Sequence, residues 1–309
     1  MSDPGLTLAI PAERVLKDAP LAPYTTFKVG GPADWLVLAQ GSTEVRAALD
    51  AARVARLPVT VLGGGSNVLI SDAGVRGIVV RIHGGDAAVP RDGLVRADAG
   101  LTINGLVRWT INRGIAGLEA WAGTPGTVGG AIHGNAHFKG RLISELVDSV
   151  ELVDTSGRTV RVPAADMDFG YDRSRLQRTR EVVLSVDLVT GRGDPAALRS
   201  VARESLAYRK RTQPLESSSA GCVFQNPDPA TDSVPDDIPP SAGALVDRAG
   251  LKGAREGGAL VSPTHGNFVV NEGTATARDI RLLIARCRDQ VRGRFGVELR
   301  DEIVYLGEF

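Results

Sequence analysis

Cysteine is scarce in this chain: Cys222 and Cys287 are the only two among 309 residues. Two thiols cannot build a disulfide framework or a four-cysteine zinc centre, and no metal site is expected. Neither sign of charge is in excess, with 36 Lys and Arg against 36 Asp and Glu. The balance removes the whole-chain electrostatic footprint that nucleic acid or an anionic membrane would require. Aromatic residues make up 5%, too few for base-stacking platforms. No apolar run approaches the roughly 18 residues of a membrane helix. The opening 15 residues lack a basic segment followed by an apolar core, so no secretory signal is expected. These absences together point to a globular, cytoplasmic protein without nucleic-acid or membrane partners.

What the chain does have is glycine. There are 37 in 309 residues, well above the usual frequency of about 7%, and they cluster. Hydrophobic residues at 43% and charged residues at 23% match an ordinary soluble domain, and the length suggests about two domains. Strand-like and helix-like patterns alternate: strands at 34–38, 58–62, 68–70 and 77–82, and a helix from Glu44 to Arg56 with Ser42 or Thr43 as N-cap. A second helix is predicted from about Thr102 to Asn112. Gly123 to Ala131 is too glycine-rich for a regular element. Strands follow at 147–153, 159–162 and 181–190, then a boundary at 191–195. The last part holds a helix at 196–211, an amphipathic helix at 277–293, and a strand-like end from Val297 to Leu306. The pattern mixes helices and strands throughout.

The run Gly63-Gly64-Gly65-Ser66-Asn67 invites a dinucleotide reading. It is not a Rossmann fingerprint, because Val68-Leu69-Ile70 forms a strand where a helix N-terminus should face the pyrophosphate. It is not a Walker A loop either, because no Gly-Lys-Ser/Thr follows. A run of backbone N–H groups with small side chains can still wrap a diphosphate, while a glycine-rich turn without a ligand stays open for this loop taken alone. A second cluster, Gly123 to Gly130, suggests two backbone walls around one large ligand.

Several motifs in order then carry a resemblance. They are Tyr24-Thr25-Thr26-Phe27-Lys28-Val29-Gly30-Gly31-Pro32-Ala33, Leu62 to Leu69, Gly123 to Ala131 with Asn135, Ser219 to Pro227, Ala249-Gly250-Leu251-Lys252-Gly253, His265 to Asn271 and Phe295 to Ile303. Through them the chain resembles the UDP-N-acetylenolpyruvoylglucosamine reductase family, in its shorter second subclass, from Tyr24 to Gly307. The resemblance implies a vanillyl-alcohol-oxidase-type FAD-binding fold with a smaller α+β substrate domain. The implied division is two FAD-binding subdomains at 1–85 and 86–191, a substrate domain at 192–298, and a C-terminal strand at 299–309 returning to the flavin. It also implies reduction of UDP-N-acetylenolpyruvoylglucosamine by NADPH through FAD, in a monomer. FAD would be non-covalent, since the 63–67 loop has no histidine. Gly63, Gly64, Gly65, Ser66, Asn67, Gly123, Thr124, Pro125, Gly126, Gly129, Gly130 and Asn135 would bind the cofactor, and Asn226 and Lys252 the substrate. Alternative readings are another flavin oxidoreductase of this fold acting on a hydroxy acid or alcohol, or a redox-inactive nucleotide-sugar-binding protein.

The implied reaction adds hydride to C3 of an enolpyruvyl ether and leaves negative charge on C2, delocalised into the carboxylate. It needs a proton donor for C2 and a cationic or hydrogen-bonding partner for the enolate. By resemblance the donor is the second serine of Ser-Ala-Gly-Ser, and Cys222 holds that place. A thiol is a far better acid than an alcohol. Glu302 matches the glutamate implied to assist. The family's Tyr-Arg-x-Ser reads Tyr171-Asp172-Arg173-Ser174 here, which puts Asp172 where arginine is expected. Arg173 is the candidate replacement, with Arg175 second, both read as one face of a strand. Lys210 and Arg211 add local positive charge, whereas His133, His137 and Cys287 read as structural.

Overall fold

A computed structural model of the chain describes Gly5, Leu6 and residues 10–309. The opening segment read above for a targeting signal therefore lies partly outside the described residues. The chain forms two compact units. The first comprises Met1–Ala19, Asp34–Gly64 and Arg76–Tyr208; the second comprises Pro20–Ala33, Gly65–Val75 and Arg209–Phe309. These divisions differ from those expected at 85/86 and 191/192. Two early segments join the C-terminal unit because their glycines and apolar residues pack there, Phe27, Val29 and Leu69 being part of its core.

In the first unit, a four-stranded sheet has the order Val15–Pro20, Pro32–Gln40, Val75–His83, Val59–Leu62. The last two strands are parallel. The helix Gly41–Ala55 leads into Val59–Leu62 and buries Val45, Ala48 and Ala52. It starts before the predicted Ser42 or Thr43 cap, because the Glu44 carboxylate accepts from the Gln40 N–H at 2.8 Å and draws Gly41 into the first turn. A second sheet, antiparallel throughout, runs Thr159–Pro163, Val147–Val153, Val182–Val189, Leu94–Asp98, Ala87–Arg91. Helix Ile103–Ile111, with its Thr102 cap, packs its apolar face into the same core.

Val182–Val189 is buried along nearly its whole length, which explains its run of Val and Leu. Its two polar residues, Ser185 and Asp187, alternate on one face. Asp187 receives two hydrogen bonds from Arg96, at 2.7 and 2.8 Å, and one from Arg161 at 2.5 Å. Three strands are thus tied by one carboxylate.

The second unit pairs a three-stranded antiparallel sheet, Arg255–Glu256, Ala259–Val261 and Val269–Asn271, with the helix Ala277–Phe295. That helix buries Ile280, Leu283, Ile284, Cys287 and Val291, carries a Thr276–Asp279 capping box, and ends at left-handed Gly296. Burial pushes the Cys287 thiol up to about 12, in keeping with a purely apolar role. The final strand is shorter than predicted, Val304–Leu306, and pairs in parallel with Val68–Ile70. Among the described residues, no helix is long and apolar enough to cross a membrane.

Asp187 offers a direct stability test. The Arg96 hydrogen bonds, opposed by burial, hold its carboxyl below the ordinary 3.8. A depressed carboxyl stabilises the fold above its unfolded pKa, and the contribution disappears as pH falls through the folded value. Arg96 and Arg161 are each about two-fifths exposed, so Asp187→Asn is expected to cost about 1–3 kcal/mol near pH 7. Urea unfolding should show that difference shrinking as pH drops below 3.8; a constant difference across the range would contradict the ion-pair account.

Candidate functional site

Each unit assembles part of the expected residue set. In the first, strand Val59–Leu62 runs into Gly63 and Gly64, which meet the second glycine-rich segment. A Cβ on Gly64 would lie 2.6 Å from the Gly126 Cα, and one on Gly63 would lie 2.5 Å from the Thr127 hydroxyl. Only hydrogen fits there. Asn104 pins the second segment: its amide donates to the Thr124 carbonyl at 3.1 Å and accepts from the Gly123 N–H at 2.7 Å. Sequence reasoning missed Asn104, because a single amide on a helix carries no distinguishing pattern.

Part of Gly123 to Ala131 is regular after all. Helix Val128–His133 starts inside it, with the Thr127 hydroxyl accepting from the Gly130 N–H at 3.4 Å. Two glycines are tolerated because Gly129 must pass Ala99, whose Cβ would be 3.0 Å from an added methyl. Gly130 is exposed.

A diphosphate needs backbone donors that the protein has not already used. Among the described residues, the N–H groups of Gly64 and Gly126, both partly buried residues of the first unit, donate to no protein acceptor. Such amides suit a dinucleotide's phosphates, so these residues fit FAD. Asn135 has a different geometry. It is fully buried, donates to the Gly170 carbonyl at 2.8 Å and accepts from the Ser144 N–H at 3.1 Å. Its amide ties the end of Val128–His133 to the 170 turn.

That turn corrects the strand reading of 171–175. Gly170 and Arg173 exchange backbone hydrogen bonds, at 3.0 and 3.2 Å, around Tyr171 and left-handed Asp172. Helix Leu176–Thr179 follows, so Arg173 and Arg175 do not share a strand face. Arg175 is held bidentately by Glu181, at 2.9 and 2.6 Å. Arg173 is 54% exposed and pairs with Asp168 at 3.5 Å. The Asp172 side chain is only 10% exposed and lies 2.9 Å from His137 Nδ1.

In the second unit, Gly65 is left-handed and accepts from the Thr26 N–H at 3.0 Å. Asn67 donates from its amide to the Glu302 carbonyl at 3.1 Å, and its own carbonyl accepts from the Val304 N–H at 3.0 Å. The half-buried Cys222 sits in a loop held on two sides. Asn267 makes two hydrogen bonds to the Phe224 backbone, and the N–H of Glu302 donates to the Val223 carbonyl at 2.9 Å. Those bridges use up residues 300–302, which is why the predicted strand from 297 shortens. Cys222 and Glu302 are thereby neighbours through the backbone. Asn226 is exposed and accepts from the Ala242 N–H at 3.1 Å, and Lys252 donates to Asp247 at 2.7 Å.

Of the basic run at 209–211, Lys210 and Arg211 are exposed, and Arg209 is the buried member at 6% exposure. Burial pulls its guanidinium down to about 10, opposed by attraction to Cys222. It remains a cation at neutral pH, within electrostatic reach of the thiol. Sequence reasoning passed over it because three consecutive basic residues look alike until the helix face is known.

The fold and the glycine-lined cradle define an FAD-dependent oxidoreductase: residues 33–163 match the family described as FAD binding domain. Residues 213–306 match UDP-N-acetylenolpyruvoylglucosamine reductase, C-terminal domain. The chain is 42% identical over 296 residues to UDP-N-acetylenolpyruvoylglucosamine reductase from Anaeromyxobacter sp. (strain Fw109-5), covering 96% of this chain and 89% of that one. It is 37% identical over 296 residues to the reductase from Bacillus velezensis, covering 95% and 94%. The crystal structure of UDP-N-acetylenolpyruvylglucosamine reductase from Thermus caldophilus is similar at a TM-score of 0.80 and 32% identity, covering 95% of this chain and 99% of that one. The chain belongs to the UDP-N-acetylenolpyruvoylglucosamine reductase family.

The loop-on-loop approach can be probed directly. Gly64→Ala forces a methyl against backbone that has no side chain to move. We expect FAD affinity to fall at least tenfold, read by flavin fluorescence titration, together with a lower melting temperature. Unchanged affinity would remove Gly64 from the cradle.

Proposed function

We propose that this chain reduces UDP-N-acetylenolpyruvoylglucosamine to UDP-N-acetylmuramate in peptidoglycan precursor synthesis. NADPH is the co-substrate, FAD is bound without a covalent link, and the enzyme works as a cytoplasmic monomer. The observation that carries this reading is the Cys222 loop, in which a half-buried thiol is tied to the Glu302 backbone and lies within electrostatic reach of buried Arg209. When bound, FAD supplies two-electron chemistry between NADPH and the enolpyruvyl double bond.

The remaining work falls to the chain's own groups. Cys222 gives its proton to C2, and Arg209 stabilises the thiolate left behind. Glu302, fixed beside that loop, assists protonation and helps hold the reacting group. Lys252 and Asn226 bind the substrate diphosphate. Arg173 is the arginine nearest the motif position and is half-exposed. Asp172 at that position is the one feature that favours a redox-inactive nucleotide-sugar-binding protein instead.

Anaerobic stopped-flow absorbance separates the two readings. After reduction by NADPH, rapid return of the oxidised flavin spectrum with UDP-N-acetylenolpyruvoylglucosamine is expected, together with UDP-N-acetylmuramate. Flavin that stays reduced until oxygen is admitted would overturn the assigned reaction, and protein that cannot be loaded with FAD would support the binding-protein reading. Cys222→Ala should slow reoxidation by about 10²-fold or more and Arg209→Met by roughly tenfold, with reduction by NADPH little changed. Survival of both half-reactions in Cys222→Ala would exclude it as the proton donor.

A further inference from the structure

We propose that Arg288 is a positioning residue for the reaction, setting the separation between the segments that carry Cys222 and Glu302. The proposal rests on the reductase reading above, and every residue it uses belongs to the second unit. Residues 222–225 and 300–302 meet in a pairing too short to form a ladder. Phe224 bridges Asp301 in antiparallel fashion, the Glu302 N–H donates to the Val223 carbonyl, and the Gln225 N–H donates to the Arg300 carbonyl, both at 2.9 Å. So short a pairing leaves the fine placement of the two segments to side chains. Placement matters here because a displacement of about 1 Å at reacting groups can cost about 10²-fold in rate.

Arg288 reaches both segments from the helix Ala277–Phe295. Its Nε donates to the Leu299 carbonyl at 3.2 Å, a terminal nitrogen donates to the Asp301 carboxylate, and the guanidinium carbon lies 5.8 Å from the centroid of the Phe224 ring. A planar guanidinium can hydrogen-bond along its edge while its cation sits over an aromatic ring; an ammonium, a single point of charge, does not reproduce that. Leu299 and Asp301 lie on the Glu302 segment, and Phe224 is two residues from Cys222, so one side chain spans both. The helix fixes where that side chain starts, because the preceding residue, Cys287, is buried on its apolar face. Arg288 and Asp301 are each 27% exposed, so solvent screens the pair less than one at the open surface. The far side of the Cys222 loop is closed by Asn267, whose amide holds Phe224 and whose carbonyl accepts from the Val223 N–H at 2.9 Å. Asn67 in turn donates to the Glu302 carbonyl. Within this frame Arg288 is the cationic clamp between the two segments, and no covalent bond changes at it.

The test is a double-mutant cycle on the FAD-loaded protein: wild type, Arg288→Met, Cys222→Ala and the double variant. Anaerobic reoxidation by UDP-N-acetylenolpyruvoylglucosamine is followed for each, with reduction by NADPH, flavin content and melting temperature alongside. Arg288→Met should slow reoxidation about 10- to 100-fold, with reduction by NADPH little changed. In the Cys222→Ala background the same substitution should cost only a few-fold, because residues that act as a unit are not additive. A residue that merely stabilises the fold would slow both half-reactions, or would cost the same in both backgrounds. Either result, or wild-type reoxidation in Arg288→Met, overturns the assignment. Arg288→Lys keeps the charge without the planar fork; it should be slowed several-fold, and it decides by the same criteria if the Met variant fails to fold. Wild-type flavin that the enolpyruvyl substrate does not reoxidise sinks the reductase reading instead, and Cys222→Ala at the wild-type rate sinks the proton donor; this assignment falls with either.

Discussion

Backbone approaches that only a hydrogen atom can fill set the terms for the rest of this chain. Gly63 and Gly64 run against Gly126 and Thr127, Gly129 passes Ala99, and in the second unit Gly31 and Gly74 meet the chain at Asp72 and Pro32. At Gly64, Gly31 and Gly74 the contact brings main chain to main chain, where N–H and C=O groups are plentiful and side chains are not. That arrangement produces walls of backbone amides and explains why glycine exceeds its usual share without the chain being disordered. It also limits what the loops can be: a single Cβ at Gly64 would separate two segments that together present amides without protein acceptors.

Loops built this way have few side chains to hold them, so asparagine takes that part. Asn104, Asn135, Asn267 and Asn271 each bond backbone groups far away in sequence, and the last three are more than nine-tenths buried. A primary amide offers donors and acceptors at once, so one buried residue satisfies two main-chain groups that no sheet reaches. Asn267 shows the consequence most plainly. It fixes both the N–H and the C=O of Phe224, and so holds the Cys222 loop at a defined distance from the segment that carries Glu302.

Elements whose signal is periodic or compositional were legible in the sequence. Helix Ala277–Phe295 was readable from its apolar face, strand Val147–Val153 matched its prediction, and the core role of Cys287 followed from its place on that face. The glycine segments announced themselves by count. Signals that depend on which way a chain turns were not legible. Tyr171 to Arg175 reads as an extended run, yet Asp172 adopts a left-handed conformation and reverses it. Arg209 is indistinguishable from Lys210 and Arg211 until the helix Pro195–Thr212 assigns one of them to the interior. In each case the deciding quantity is orientation, which short motifs do not encode.

Orientation also bears on how a departure from a motif should be read. Placing a carboxylate in a buried position changes local charge by a full unit, and in a medium of low polarity that change is costly unless something in contact compensates. The compensation must be a neighbour in space, so it can lie anywhere in sequence. Asp172 has His137 within hydrogen-bond distance, on a segment joined to the turn by Asn135. For Cys222 the matching charge is Arg209, brought in by a helix. Both pairs join residues that the sequence does not connect: His137 reads there as structural, and Arg209 carries no signal of its own. A motif scored position by position counts Asp172 as a loss; scored by contacts, it is one half of a side-chain pair with His137.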